Sequence, residues 1–169
     1  MTQEFWIQEA QPTDYFSVYQ IIKEAFINHP HSNHTEQLIV ERLRQNGQLT
    51  SSLVAKSQAG LIGYIAFSPV TIDSQHRGWY GLGPVAVAPA YQRAGIGQAL
   101  IRQGLAMLNA HHARGCVVAG DPAYYGRFGF KPEPTLVVDG IPPEYFMGLS
   151  FGDSMLPSGL VQYSPAFYN

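Results

Sequence analysis

Apolar positions recur along the chain with the period of a helix in some segments and of a strand in others. Residues 4–10 form a short β-type run that stops before Pro12. An aromatic or aliphatic residue then returns every three or four positions over 15–26, which predicts an amphipathic helix. A second helix is expected between a capping Thr35 and a stop at Gly47. The residues that carry the first helical pattern are Tyr15, Tyr19, Ile22 and Phe26.

Three β-type runs follow the second helix. The runs at 52–56 and 61–67 are separated by the short turn 57–60, so we expect them to pair as a hairpin. A further turn near 74–78 leads into the third run, at 79–87. The sequence therefore predicts three antiparallel strands in the middle of the chain.

A long helix and a buried strand come next. From about Gly95 to Ala113 the apolar residues fill about half of the helical circumference, which is typical of a helix packed against a sheet. Residues 116–120 are apolar and partly β-branched, which indicates a buried strand. Together with the run at 79–87 they form a strand–helix–strand unit, whose two strands should lie parallel.

The rest of the chain, from Lys131 onward, is rich in glycine and proline. It holds two strand candidates, at 135–138 and 160–164. No linker divides the sequence, so residues 1–169 are expected to form a single domain. The predicted fold class is α+β, with a mixed, mostly antiparallel sheet flanked by helices. The fourth and fifth strands of that sheet should form a central parallel pair.

Composition and charge narrow the class of protein further. Of 169 residues, 46% are hydrophobic and 13% are charged, against about 25% charged in soluble domains, which excludes a disordered chain. The net charge of -2 and the lack of a basic tract argue against a nucleic-acid partner. No apolar run reaches the length of about 18 residues that a membrane span needs, and the first residues do not resemble a signal peptide. A single cysteine, Cys116, permits no internal disulfide, so we expect a cytoplasmic protein with no membrane partner.

The most informative stretch is the turn between the run at 79–87 and the long helix. The first amides of a helix have no intrahelical acceptor and carry positive potential. Gly95 and Gly97 leave those amides accessible, and Arg93 adds a full positive charge beside them. This pattern predicts an anion site suited to a pyrophosphate. The alternative is a plain strand-to-helix turn whose glycines serve packing.

Two known phosphate-binding patterns do not fit this turn. The G-x-x-x-x-G-K-[ST] loop of P-loop NTPases is absent. The dinucleotide pattern G-x-G-x-x-G fails at its third glycine, where Leu100 stands. Asp121 ends the following strand, where dinucleotide enzymes place a ribose-binding acid. A nicotinamide-dependent oxidoreductase therefore stays open as an alternative.

The same turn resembles the signature of a known enzyme family. Residues 92–97, Gln-Arg-Ala-Gly-Ile-Gly, match the Q/R-x-x-G-x-G/A motif of the GCN5-related N-acetyltransferases (GNAT). Residues 82–87 are similar to that family's fourth strand, and residues 124–130 are similar to its second conserved block, usually written Y-x-x-x-G-F. The detailed sequence is most similar to the YhbS-type branch, and the resemblance is specific over 82–130.

The resemblance implies an enzyme that moves an acetyl group from acetyl-coenzyme A (acetyl-CoA) to a primary amine, without a metal. It implies that the loop amides bind the pyrophosphate, that Val85 assists the pantetheine arm, and that the N–H of Val87 polarises the thioester carbonyl. The acceptor would be a small molecule or a peptide, and homodimers are common in the family. The residues expected to contact the cofactor are Val85, Val87, Gln92, Arg93, Ala94, Gly95, Ile96, Gly97, Gln98, Asp121 and Tyr125.

The resemblance also assigns the general acid to Tyr125. This residue stands four positions before Gly129, the register of the family's acid tyrosine. An acid beside the sulfur would speed the departure of the thiolate. The alternative is a core aromatic whose hydroxyl reaches a backbone carbonyl. Tyr124 is expected to be its structural partner.

The sequence does not single out a general base. Glu24 lies opposite the apolar stripe of its helix, which favours a solvated position, and Asp121 is placed to cap a helix. His29, His31 and His34 lie in a loop that covers the acceptor site in the resembled family, and one of them could accept the amine proton. Their spacing argues against a metal site. A water chain without a dedicated base is an equal alternative.

Three interpretations remain open at this point. Cys116 suggests a nucleophile, but its apolar strand favours a small buried side chain. A coenzyme A-binding sensor without turnover is the main alternative function, because no general base is evident. The aromatic segment 142–147 suggests either an apolar acceptor pocket or a packed C-terminal strand.

Overall fold

A computed structural model describes residues 4–30, 32–153 and 155–168. The helices are α1 Tyr15–Phe26, α2 Glu36–Gln45, α3 Ile96–Ala110 and the single turn α4 Pro122–Tyr125. The strands are β1 Trp6–Glu9, β2 Ser51–Ser57, β3 Gly60–Ile72, β4 Gln75–Val87, β5 Gly115–Ala119, β6 Lys131–Pro132, β7 Leu136–Val137, β8 Phe146–Ser150 and β9 Gly159–Gln162.

The chain forms two compact units, and three long elements contribute residues to both. The first unit takes in the described residues up to Phe67 together with Gly83–Gly104. The second takes in Ser68–Leu82 and the described residues from Leu105 onward. The elements that contribute to both units are β3, β4 and α3.

The first unit is an antiparallel sheet covered by α1 and α2. Strand β2 pairs with β1 on one side, with Trp6 opposite Lys56, and with β3 on the other, with Leu53 opposite Ile65. The amphipathic pattern of α1 places its apolar stripe on the sheet, where burial of side chains stabilises the unit. The buried residues of this core are Val18, Ile21, Ile22, Val40, Val54, Tyr64, Ala66 and Ala86.

The start of α1 is tied to β2 by a buried ion pair. Asp14 is only 6% exposed, and its carboxylate accepts hydrogen bonds from the Gln11 N–H at 2.8 Å and the Lys56 ammonium at 2.8 Å. Burial alone would raise the pKa of Asp14. The hydrogen bonds from Lys56 and Gln11 and the charge of Lys56 outweigh it and hold the pKa below its ordinary value.

The second unit contains a parallel strand pair. Strand β4 pairs with β5 in parallel, with Trp79 opposite Gly115 and Gly81 opposite Val117. Strand β8 lies antiparallel to both β5 and β6, β9 lies antiparallel to the end of β3, and β7 lies parallel to β9. The buried residues of this core are Val70, Ile72, Trp79, Val117, Leu136, Val138, Phe146 and Val161.

The α+β class, the mixed sheet, the parallel β4–β5 pair and the order of elements through α4 are confirmed. Strand β3 is longer than the predicted run at 61–67, because Thr71 and Ile72 continue it by pairing with β9. A packed strand was one of the two alternatives for the aromatic segment 142–147, and β8 begins at the end of that segment with the buried Phe146 and Met147. That the chain is one domain remains a prediction.

Thr35 occupies the N-cap position of α2, as expected, but its side chain does not make the cap hydrogen bond. Its hydroxyl donates to the Asn33 side chain instead.

Among the helices that the structure describes, none has the length and apolar character needed to cross a membrane.

We predict that Asp14→Asn lowers the free energy of unfolding at pH 7 by about 1.5–3 kcal/mol, because Lys56 loses a charged, buried acceptor. The folded-state pKa of Asp14 is depressed, so its contribution is complete above the unfolded pKa near 3.8 and is lost as the pH falls through the folded pKa. Denaturant unfolding of the wild type and of Asp14→Asn between pH 3 and pH 7 measures how the difference in unfolding free energy depends on pH.

The exposed Asp139 provides the matched control, since Asp139→Asn should change the unfolding free energy little. An Asp14→Asn difference that persists undiminished at acidic pH would contradict the ion-pair explanation.

Candidate functional site

The loop between β4 and α3 is held open to solvent. Residues 92–95 are exposed, while Ile96 at the start of α3 is buried and anchors the helix. The side-chain amide of Gln92 donates to the Val87 carbonyl at 3.0 Å, so it fastens the loop to the end of β4.

The backbone of this loop adopts left-handed conformations at alternate positions. Arg93 has φ 65° and Gly95 has φ 84°. Such conformations turn successive N–H groups toward one side and create concavities that bind anions. At Gly95 the conformation explains why the residue is a glycine, because the backbone of a residue with a side chain would be strained there.

The first amides of α3 have no partner within the helix. The Ala99 N–H donates to the Gly95 carbonyl at 3.0 Å. The amides of Ile96, Gly97 and Gln98 precede that bond, so they are available to an external acceptor. The helix dipole and the exposed Arg93 side chain add positive potential at the same end of α3.

Strand β4 continues beyond the end of its parallel pairing with β5. Pairing between β4 and β5 covers Trp79–Gly81 and Gly115–Val117, whereas β4 continues to Val87. Near its end, Ala86 faces the core of the first unit, while Val85 and Val87 are half-buried. The backbone of Val85 and Val87 therefore lies beyond the last hydrogen bond that β4 makes with β5.

A cluster of aromatic rings surrounds Tyr125 in the second unit. The ring of Tyr125 meets Phe130 edge-on at 6.0 Å and Tyr124 edge-on at 5.0 Å, and Phe128 lies 6.3 Å away. The Tyr125 N–H donates to the Asp121 carbonyl at 3.0 Å, which fixes the backbone beneath the ring. Tyr124 is thus the structural partner expected from the sequence, whereas the roles of Phe128 and Phe130 were not foreseen.

The electrostatic environment keeps the phenol of Tyr125 protonated. Burial, followed by the neighbouring Tyr124 and Cys116, raises the pKa of Tyr125 to about 12. At neutral pH the group therefore holds its proton, as a general acid must before it reacts, and the raised pKa also makes it a weaker proton donor than an ordinary phenol.

Cys116 does not have the properties of a nucleophile. The side chain is fully buried in β5, and burial raises the pKa of its thiol well above the ordinary value. Its thiol lies 3.6 Å from the Val117 carbonyl. The nucleophile interpretation is wrong, and the small buried side chain favoured by the sequence is confirmed.

The candidate bases occupy exposed positions. Glu24, His29 and His34 are exposed, and His31 lies outside the described residues. Asp121 acts as the expected helix cap, because its carboxylate accepts from the Ala123 N–H at 2.9 Å. Within residues 4–30, 32–153 and 155–168, histidine, cysteine and acidic side chains form no cluster that could hold a metal ion.

The chain matches a family model and several known proteins. Residues 48–132 match the model of the acetyltransferase (GNAT) domain. The uncharacterized N-acetyltransferase YhbS of Escherichia coli K12 is 38% identical over 109 residues, which are 64% of this chain and 65% of YhbS. The matched region thus spans just under two thirds of that relative.

Two solved structures are similar over nearly the whole chain. A GNAT family acetyltransferase from Brucella melitensis, in complex with acetyl-CoA, is 45% identical with a TM-score of 0.87, covering 98% of this chain and 99% of that one. Escherichia coli YhbS in complex with CoA is 31% identical with a TM-score of 0.90, covering 100% of this chain and 94% of that one.

We predict that the Cys116 thiol of the native protein resists alkylation at neutral pH, because it is both buried and protonated. Mass spectrometry after treatment with iodoacetamide should show negligible labelling of the folded protein and one label per chain in denaturant. Stoichiometric labelling of the folded protein would contradict the buried position.

Proposed function

Since the chain belongs to the GNAT family of N-acetyltransferases, we propose that it transfers an acetyl group from acetyl-CoA to a primary amine by direct attack. The observation that carries this proposal is the exposed, left-handed loop before α3, whose amides lack helical partners. The nicotinamide alternative loses its support, because the family match accounts for the same loop and Asp121 is a helix cap.

The loop is proposed to bind the pyrophosphate of the cofactor. Backbone amides at the start of a helix donate hydrogen bonds to phosphate oxygens. They carry no net charge, so no charged protein group has to be desolvated, and the helix dipole favours the anion. The guanidinium of Arg93 adds a screened, exposed charge that steers the cofactor toward the loop. The proposed contacts are Gln92, Arg93, Ala94, Gly95, Ile96, Gly97 and Gln98.

The end of β4 is proposed to pair with the rest of the cofactor. The amide of Val85 would donate to the pantetheine arm, and the amide of Val87 would polarise the thioester carbonyl. Both groups lie beyond the β4–β5 ladder, which leaves them free to pair with a ligand backbone. Pro84 has no N–H and cannot take either role.

The transfer requires one bond to form and one to break. The lone pair of the neutral amine attacks the thioester carbon, so a C–N bond forms and the C–S bond breaks. The leaving thiolate has a conjugate-acid pKa of about 8.5, as for a free thiol, and takes the proton of the Tyr125 phenol. The proton of the product nitrogen passes to water, and solvent restores the phenol. Asp121 caps the turn that carries Tyr125 and supports the acid indirectly.

The acceptor is proposed to be the primary amine of a small molecule or a peptide. The expected aromatic pocket at 142–147 is not retained as an acceptor site, because Phe146 and Met147 are buried in β8. A reducing cytoplasm is the proposed setting, since the lone cysteine is kept as a buried thiol.

Incubation with acetyl-CoA and a panel of primary amines should release coenzyme A thiol with at least one amine. We expect Tyr125→Phe to lower kcat by about 10²-fold or more, because the thiolate loses its acid, with the affinity for acetyl-CoA unchanged. Thiol release followed spectrophotometrically, beside a calorimetric binding isotherm, measures both quantities.

The two measurements also separate the enzyme from its main alternative. Tight coenzyme A binding without thiol release for any amine would indicate a sensor. A Tyr125→Phe variant that turns over at the wild-type rate would remove the acid role and leave the binding assignment standing.

We predict that Gly95→Val weakens coenzyme A binding by about 10–100-fold, the loss expected for one hydrogen bond to a charged group. An added Cβ at Gly95 meets no atom within 4 Å, so the effect comes from the strained φ of 84° rather than from a clash. Isothermal titration with coenzyme A measures it.

Gly140 is a close control for this substitution. It has the same φ of 84° and equally open surroundings. Gly140→Val should therefore carry a similar strain and bind coenzyme A as the wild type does. Equal affinities of the two variants would argue against the loop as the pyrophosphate site.

A further inference from the structure

The ring of Tyr125 lies directly on the backbone of Gly120. Gly120 follows β5, and its N–H donates to the Tyr145 carbonyl at 2.9 Å, so its position is fixed. A Cβ added at Gly120 would lie 2.6 Å from Cε2 and 3.1 Å from Cδ2 of Tyr125. Because carbon atoms in contact are separated by about 3.5–4.0 Å, only a residue without a side chain permits this approach.

The ring has little freedom to move away from such a side chain. Phe130, which meets it edge-on at 6.0 Å, is only 2% exposed and is itself held in place. Tyr124 covers another edge at 5.0 Å. The hydrogen bond from the Tyr125 N–H to the Asp121 carbonyl holds the Cα from which the ring projects. Together these contacts hold the phenol ring in one position, in which it packs on the backbone of Gly120.

We propose that Gly120 is a positioning residue that sets where the Tyr125 hydroxyl stands. The inference rests on the acid role given to Tyr125 under the proposed function. A proton donor must come within hydrogen-bond distance of the leaving atom, and misplacement by about 1 Å can cost about 10²-fold in rate. A methyl group at Gly120 would displace the ring by a comparable amount.

The test compares Gly120→Ala with Gly126→Ala. Gly126 belongs to the same turn, has φ -58° and ψ -28°, and an added Cβ there meets no atom within 4 Å. With the amine found active in the panel, Gly120→Ala should lower kcat by about 10–100-fold and leave the KM for acetyl-CoA within about twofold. Gly126→Ala should match the wild type in both.

A second readout follows the phenol itself and needs no acceptor. A phenol ring displaced from its half-buried position toward solvent should ionise nearer the ordinary pKa of 10.0 than its value of about 12 in the wild type. Ultraviolet titration of Gly120→Ala, minus that of Gly120→Ala/Tyr125→Phe, isolates this group. An unchanged titration together with a wild-type kcat would overturn the proposal.

A double-mutant cycle separates this proposal from the proposed function. If Gly120 acts through the hydroxyl, Gly120→Ala should cause no further loss in the Tyr125→Phe background. An equal loss in both backgrounds would overturn the positioning role. If Tyr125→Phe alone leaves turnover unchanged, the acid assignment fails instead. If only Tyr125→Phe impairs turnover, the acid role stands and the positioning role falls.

Failure of Gly120→Ala to fold would also be informative. In that case Gly120→Ala/Tyr125→Leu, which removes the ring that the methyl group meets, should restore cooperative thermal unfolding. If that double variant is unfolded as well, Gly120 serves the backbone and not the ring, and the proposal is overturned.

Discussion

The first amides of α3, which have no partner within the helix, are the physical constraint on which the proposed cofactor loop depends. A helix cannot satisfy its own first N–H groups, so they must meet water, a side chain or a ligand. In this chain Gly95 adopts a left-handed conformation and adds no side chain there. Ile96 is buried beneath the same turn, so a rigid core residue supports the exposed backbone.

The electrostatic environment of the Tyr125 cluster differs from that of the loop before α3. The loop offers polar groups that an anion can reach, whereas the cluster partly removes the Tyr125 hydroxyl from water, which raises its pKa. Under the proposed function, the loop serves the phosphates of the cofactor and the cluster serves its thioester. The protonated phenol of Tyr125 and the first amides of α3, which have no partner within the helix, are both properties of the free protein.

The sequence predicted the elements that follow a clear period, and it missed those that depend on distant partners. The helix α1 and the strand–helix–strand unit were readable, because local spacing alone determines them. The apolar stripe predicted for α1 was only partly right, because the buried residues of the helix are Val18, Ile21 and Ile22. The bounds of β8 and the end of β3 were not readable, since both owe their extent to pairing with strands far along the chain. Likewise, the motif identified Tyr125, but no spacing rule shows that Gly120 lies under its ring.

The bond from Gln92 to the Val87 carbonyl has a thermodynamic consequence. It closes a short ring of covalent and hydrogen bonds across the loop, so the backbone from Val87 to Gln92 is already restrained in the free protein. Ordering a flexible backbone costs about 1–2 kcal/mol per residue, and a loop restrained beforehand avoids part of that entropy loss on association. One exposed glutamine can thus favour ligand binding through the backbone that it restrains, in addition to its own proposed contact with the ligand.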